Sequence, residues 1–261
     1  MPFLSLVIPA YNEEKRIGKT LAQTLDYLDS WNYDSEVLVV NDGSRDQTAQ
    51  RVLEFRDRAK DRLRLIENPG NRGKGFAVRN GMIQSCGEII LFFDADLATP
   101  LEEMAKVITP IAENRIDIVI GSRALDRNLI GIHQSPFRET VGRLGNLIQF
   151  ILTGLDFKDT QCGFKAFSRA AAQSIFPLQR IDGFGFDPEV LFIARKQGWR
   201  ILETPVRWNH VEGSKLNPIT SPIKVLFEVA SIRWNDLLGK YESSPLSPMT
   251  SNLDSSGSTK K

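Results

Sequence analysis

The sequence predicts an α/β fold: a mostly parallel sheet flanked by helices, in a single domain. Three observations carry that expectation. Short β-rich runs recur with helical segments between them, at Leu4 to Ile8, Glu36 to Val40, Leu63 to Ile66, Ile89 to Phe93 and Ile116 to Ile120. These runs are nearly all apolar instead of alternating, as strands covered by helices on both faces should be. The length of 261 residues suits one large buried core and is marginal for two.

The first five units read as Rossmann-like. After Gly121 the rhythm changes. A loop through Asp126 to Pro136 leads into a helical pattern with Phe137, Val141, Leu144, Ile148, Ile151 and Leu155 on one side. Thr160 to Ser168 reads as a turn and a strand, Pro188 to Gln197 as a helix closed by Gly198, and Arg200 to Trp208 as a further strand. Pro222 opens a last amphipathic segment that reaches Leu238. The domain is placed at residues 1–240. Residues 241–261 are dominated by Ser, Pro and Thr, too poor in apolar groups to offset the entropy of ordering them, so a disordered tail is expected.

Composition excludes some functions. Lys and Arg total 33 against 32 Asp and Glu, without the basic excess of a dedicated nucleic-acid binder. Cys86 and Cys162 lack C-x-x-C spacing, and His133 and His210 are too few for a multi-histidine zinc site, so a reducing, cytoplasmic setting is expected. No charged segment followed by an apolar one opens the chain. The longest apolar stretch, Val141 to Leu155, is broken by Arg143, Asn146 and Gln149, well short of the roughly 20 clean apolar residues that a span needs. Neither a signal peptide nor a transmembrane span is expected.

Ligands of an open parallel sheet bind beyond the carboxyl ends of its strands, so the residues after each run are the informative ones. The first run ends in Pro9-Ala10-Tyr11-Asn12-Glu13-Glu14, the second in Asn41-Asp42-Gly43-Ser44-Arg45-Asp46, the fourth in Asp94-Ala95-Asp96 and the fifth in Gly121-Ser122-Arg123. Two aspartates one residue apart aim hard oxygen ligands into a cleft if the backbone turns there. Mg²⁺ or Mn²⁺, completed by substrate phosphates and water, suits so sparse a ligand set better than a calcium cage does. In isolation the triplet reads more readily as a solvated turn, and the other strand-end residues reverse that preference. Asp42 beside Gly43 offers an acceptor for a base or ribose, or a plain Asx turn. The loop Gly70-Asn71-Arg72-Gly73-Lys74-Gly75 brings donors and cations but has neither P-loop nor G-x-G-x-x-G spacing, and a flexible turn explains it as well.

In their order along the chain these segments resemble the nucleotide-sugar signature of the family 2 glycosyltransferases of the GT-A fold, from about Leu4 to Trp234. Asp159-Thr160-Gln161-Cys162-Gly163-Phe164-Lys165 and Trp208 to Lys215 are similar to the dolichyl-phosphate glucosyltransferase and mannosyltransferase branch, the glucosyl members more closely. The resemblance implies a nucleotide-sugar site drawn from Pro9, Tyr11, Glu13, Asp42, Lys74, Arg79, Asp94, Ala95 and Asp96, with Mg²⁺ or Mn²⁺ held by Asp94 and Asp96. It implies inverting transfer of a hexose, UDP-glucose before GDP-mannose, to a polyprenyl phosphate, a lipid whose chain stays in the bilayer. Relatives carry membrane-spanning segments that are not seen here, which leaves peripheral contact with the cytoplasmic face of a membrane as the expectation.

The chemistry then follows from charge. Departure of a nucleoside diphosphate builds negative charge that a cation stabilises. Arg123, Arg138 and Lys215 are candidates for substrate phosphates, as is Gln161 for the acceptor, although each cation reads equally as a solvated surface charge. A lipid phosphate is already anionic and needs no protein base. A saccharide hydroxyl does need one, and Asp187 or Glu189 is the natural choice, the alternative being a carboxylate placed at a helix N-terminus by the dipole. Cys162, with no evident histidine partner, reads as a packing residue. The Val141 to Leu155 helix fits a core or a membrane interface, and Ile223 to Leu238 is the second interface candidate. A saccharide-directed transferase and a non-catalytic nucleotide-sugar sensor remain the competing readings, while an NAD dehydrogenase lacks its glycine fingerprint.

Overall fold

The structure, a computed structural model, describes residues 1–31, 33–129, 149–209 and 220–242. Its centre is a seven-stranded sheet of β1 (Leu4–Ala10), β2 (Ser35–Asn41), β3 (Leu63–Glu67), β4 (Ile89–Phe93), β5 (Ile118–Ser122), β6 (Phe164–Ser168) and β7 (Ile201–Pro205), in the order β3-β2-β1-β4-β6-β5-β7. The helices are α1 (Ile17–Asp29), α2 (Thr48–Leu53), α3 (Arg56–Ala59), α4 (Lys74–Gln84), α5 (Met104–Ala112), α6 (residues 149–153), α7 (Arg169–Ile175), α8 (Phe186–Lys196) and α9 (Thr220–Leu237).

The apolar strands are apolar because both faces are covered. On one face Val7, Val40, Phe92, Ile120 and Phe167 meet α4, α7, α8 and α9. On the other, Leu6, Val39, Leu91, Val119 and Phe164 meet α1 and α5. All five residues of β4, at the middle of the sheet, are buried. Such a three-layer arrangement leaves the strand ends as the place where polar groups collect.

One strand departs from the expected rhythm. β6 runs antiparallel to both β4 and β5 and separates them, so β5 is not the next parallel neighbour of β4. Its register pairs Phe93 with Phe164 and Ile120 with Lys165. An antiparallel strand begins at the edge where its parallel neighbours end. The residues leading into β6, from Asp159 to Gly163, therefore lie against Asp94 and Arg123.

Element ends also moved. β5 starts at Ile118, two residues later than expected, because the Asp117 carboxylate is held by the guanidinium of Arg200 at 2.8 and 2.9 Å. α8 begins at Phe186 and takes Pro188 into its first turn, where a proline removes no needed N–H. Tyr241, assigned to the tail by a boundary at residue 240, is buried against Phe192 with its hydroxyl donating to Glu189 at 2.6 Å. Residues 243–261 of the expected tail, the start of the Val141 to Leu155 helix, and His133, Arg138, His210 and Lys215 lie outside the described residues.

The central strand supplies the first test. Phe92 is fully buried, 5.8 Å from the Phe186 ring and 6.3 Å from that of Phe167. Phe92→Ala is expected to cost about 3–5 kcal/mol, measured as a lower urea midpoint at unchanged m-value.

Candidate active site

The carboxyl ends of β1, β2 and β4 lie side by side, since β1 pairs with both of the others. The winding reverses between β1 and β4, which is where such sheets open a crevice. The turn after β1, carrying Tyr11 and following Pro9, is laced to the turn after β2. Asn12, in the left-handed region at φ 52°, donates its backbone N–H to Ser44 Oγ at 2.8 Å, and its Oδ1 accepts from the N–H of Arg45 at 2.8 Å. Glu13 donates its N–H to Thr48 Oγ1 at 2.7 Å and pairs its carboxylate with Arg16 at 2.7 Å. The field of Asp96 and Asp94 also reaches Arg16, so the cation stands at the same crevice.

Asp42 is buried, and its carboxylate organises the Gly-rich loop. It accepts from Asn68 Nδ2 at 2.8 Å and from the N–H groups of Arg72 at 3.1 Å and Gly73 at 2.8 Å. Gly73, at φ 114°, packs so tightly on the 181–183 turn that an added Cβ would come within 2.4 Å of the Asp182 carbonyl oxygen. The loop delivers Lys74 to the start of α4, with its Nζ 2.6 Å from Asp94 Oδ1. Burial works against the Lys74 charge, but Asp94 and then Asp187 overrule it and hold the ammonium above the usual lysine range. Arg79, expected beside the nucleotide, is spent elsewhere. It donates to the Gln179 carbonyl at 3.0 Å and pairs with Asp182 at 2.8 Å, tying α4 to the 179–182 segment.

The aspartate triplet sits in a true turn. The N–H of Leu97 closes onto the Asp94 carbonyl at 3.2 Å, with Leu97 itself at φ 50°. Ala95 points into the core, and its carbonyl accepts from Thr20 Oγ1 at 2.5 Å, while both aspartate side chains stay partly accessible. Burial raises the Asp96 carboxyl above the usual carboxylate range, and repulsion from Asp94 raises it further. Two like charges forced together in a half-buried turn are a site that a cation relieves. Among the described residues no group of three His, Cys, Asp or Glu side chains could hold a metal unaided. The pair therefore fits a magnesium-like ion whose other ligands are phosphate oxygens and water.

The segment leading into β6 supplies residues that had no individual role on sequence grounds. Gly163 donates space: an added Cβ would lie 2.2 Å from Asp94 Oδ2, and the Gly163 carbonyl accepts the Asp94 N–H at 3.2 Å. Asp159 grips Arg123 through both carboxylate oxygens, at 2.7 and 2.8 Å, and the Trp208 ring lies 5.7 Å beneath the guanidinium. Asp159 is in turn fixed by its own N–H donating to Glu203 at 2.8 Å. Burial opposes charge on Asp159, but Arg123 prevails and holds it below the usual range. Arg123 also feels Asp94, which places its cation at the rim of the crevice. Gln161 is exposed beside it.

Lys165 is fully buried, donating to the Cys162 carbonyl at 2.6 Å and ion-paired with Asp187. Asp187, expected as a base, is thus a buried counter-ion beneath the site. Burial raises its carboxyl, and Lys165 and Lys74 pull against that rise. Glu189 is likewise structural, since its carboxylate accepts the N–H groups of Arg180 at 3.0 Å and Ile181 at 2.8 Å together with the Tyr241 hydroxyl. Only the pairing of Asp159 with Arg123 had a signal in the sequence, an acid six residues before Lys165 in a segment already singled out. The space that Gly163 leaves could not be read without the register of β6.

Two measurements check this geometry. Gly163→Ala is expected to displace Asp94 and abolish the thermal stabilisation given by Mn²⁺ with UDP, while stability without ligand stays within about 1–2 kcal/mol of wild type. Burial pushes the Cys162 thiol up to about 12, so at pH 8 it is protonated and unreactive. Alkylation at that pH is expected to modify exposed Cys86 alone, with Cys162 following only in denaturant.

Comparison with known proteins gives the family. Residues 5–176 match the family model described as glycosyl transferase family 2. A dolichyl-phosphate beta-glucosyltransferase of Trichomonas vaginalis is 38% identical over 240 residues, covering 88% of this chain and 72% of the relative. The human dolichyl-phosphate beta-glucosyltransferase is 36% identical over 250 residues, covering 91% and 77%. Among solved structures, glucosyl-3-phosphoglycerate synthase from Mycobacterium tuberculosis, in complex with Mn²⁺, UDP-glucose and phosphoglyceric acid, shares the fold at a TM-score of 0.63 and 20% identity, over 92% of this chain and 80% of that one. The same synthase with Mg²⁺ and UDP gives a TM-score of 0.65 at 20% identity, over 88% and 79%. A GT-A sheet ending in this aspartate turn, matched by family and relatives across most of its length, makes the chain a glycosyltransferase belonging to glycosyl transferase family 2.

Proposed function

We propose that this glycosyltransferase moves glucose from UDP-glucose to a polyprenyl phosphate of the dolichyl type, with inversion, using Mg²⁺ or Mn²⁺. The observation that carries the reading is the commitment of the carboxylates around the crevice. Asp187 is sealed against Lys165, Glu189 holds Tyr241 and the 180–181 backbone, Asp159 holds Arg123 and Asp182 holds Arg79. A hydroxyl acceptor requires a base within reach of its proton. Asp94 and Asp96, a partly accessible pair at the end of β4, suit a cation instead. A phosphate acceptor makes no such demand. The names of the relatives, dolichyl-phosphate beta-glucosyltransferases, point the same way.

In this reading one oxygen of the acceptor phosphate forms a bond to the anomeric carbon as the bond from that carbon to the β-phosphate oxygen of UDP breaks. UDP leaves with the electron pair, and no proton moves. Asp94 and Asp96 would hold the cation, which supplies compensation for charge growing on the diphosphate. Lys74, at the amino end of α4, adds a second positive centre on the donor side. Asp42 keeps the Gly-rich loop in shape, with Pro9, Tyr11 and Glu13 forming the opposite wall. Arg123, held in plane by Asp159 and Trp208, presents a cation toward the acceptor phosphate, with Gln161 beside it and with Arg138 and Lys215 as further candidates from the sequence. The chain meets its lipid by peripheral contact with a membrane.

The test is a donor and acceptor screen. Purified protein with Mg²⁺ or Mn²⁺, labelled UDP-glucose or GDP-mannose, and dolichyl phosphate is expected to give a mild-acid-labile glucolipid from UDP-glucose, lost on adding EDTA. Transfer only to free saccharides would overturn the reading. Asp187→Asn separates the chemistries: folded variant is expected to keep turnover within about tenfold of wild type, whereas loss of a true general base costs about 10²–10⁴-fold.

A further inference from the structure

The last helix carries apolar side chains on its outer face as well as on its inner one. Successive residues advance 100° around a helix, so α9 presents two faces. The inner face carries Glu228, Val229, Ile232, Asn235 and Asp236. Its carboxylates are used: Glu228 Oε2 accepts the Gly185 N–H at 2.7 Å, and Asp236 pairs with Lys196 at 2.5 Å. The outer face carries Leu226, Phe227, Ala230, Trp234, Leu237 and, just beyond the helix, Leu238, with no charge among them. Phe227 is 72% exposed, Trp234 65% and Leu237 81%. Single exposed apolar residues are ordinary, but a whole helix face of them is a contact surface. The patch continues onto α6, where Phe150 and Ile151 are exposed and the Leu152 carbonyl accepts from Arg233 at 2.5 Å.

We propose that this outer face of α9 rests on an anionic phospholipid surface, an inference that rests on the lipid-phosphate reading of the active site. Charge decides the occupant. Lys224 and Arg233 border the apolar strip and are respectively 75% and 50% exposed; each reaches back to an acid of the inner face, Glu228 at 3.9 Å and Asp236 at 4.0 Å, and those acids are the less exposed partners. An apolar strip of Trp, Phe and Leu with cationic edges is the signature of a helix lying in the headgroup plane. No helix among the described residues is long and apolar enough to cross a membrane. The same helix is tied to the donor side of the site. Through Glu228 it holds Gly185, and the turn before Gly185 is the one on which Gly73 packs. Helix α9, the 181–185 turn and the Gly-rich loop are thus joined by direct contacts.

The test is flotation with vesicles of phosphatidylcholine and phosphatidylserine containing no polyprenol. Wild-type protein is expected to float, less so on pure phosphatidylcholine or at high salt. The triple variant Phe227→Ser, Trp234→Ser, Leu237→Ser should lose at least ~100-fold in partitioning, as expected for three large side chains no longer buried. A blue shift of fluorescence on adding vesicles should vanish in Trp234→Phe. Equal flotation of wild type and triple variant would overturn the proposal. So would a wild-type dimer that ignores vesicles and falls apart in the triple variant, which would make the face a contact between copies. Failure of the functional reading looks different: vesicle binding intact with no glucolipid formed. Conversely, a protein that glucosylates detergent-dispersed dolichyl phosphate but never floats leaves that reading standing and overturns this one.

Discussion

Two carboxylates held at the end of a buried strand repel one another, and much of the surrounding structure answers that repulsion. β4 is covered on both faces and has no freedom to separate Asp94 from Asp96. The turn at Leu97 folds Asp96 back toward the crevice, and Gly163 leaves the space into which the Asp94 carboxylate fits. Cations are then recruited from separate parts of the chain: Lys74 from the Gly-rich loop, Arg16 from the start of α1 and Arg123 from the end of β5. Arg16 is steadied by Glu13 and Arg123 by Asp159. The result is a charged crevice in which, on the proposed function, a cation bound with a diphosphate would relieve a tension already present in the fold.

The second layer of the site is a set of buried pairs that, in the proposed function, take no chemical part in the reaction. Lys165 with Asp187 and Glu189 with Tyr241 lie under the crevice, where removing one partner would leave an uncompensated polar group. Asp42 belongs to the same layer, because its oxygens are taken by the loop that carries Lys74. These groups explain why the segments look chemically rich in the sequence. Their richness serves rigidity, and rigidity places the few groups that face the ligand.

The parallel half of the fold was legible because its logic is repetitive. An apolar strand buried on two faces has a simple pattern, and the residue after it is at the ligand edge, so Asp42, Asp94, Asp96 and Arg123 could be found by walking to the end of each run. β6 defeated that procedure. It is antiparallel, so the residues at the ligand edge precede it, and Asp159, Gly163 and Lys165 were visible only as part of a family-like segment. Asp187 and Glu189 misled for a different reason. An acid in the first turn of a helix looks the same in sequence whether it faces a cleft or a buried lysine, and only the position of Lys165, far away along the chain, separates the two. For α9 the amphipathic pattern marked an interface candidate but does not say which face the core takes.

The central claim is that the Asp94 and Asp96 pair is a strained site which a cation and a nucleoside diphosphate satisfy together. Unfolding of Asp96→Asn, followed in EDTA and again with Mn²⁺ and UDP, tests it most directly. The account predicts that the variant is at least as stable as wild type in EDTA, because the repulsion is gone, and gains nothing from Mn²⁺ with UDP. A variant that is less stable in EDTA yet is still stabilised by Mn²⁺ with UDP would contradict it.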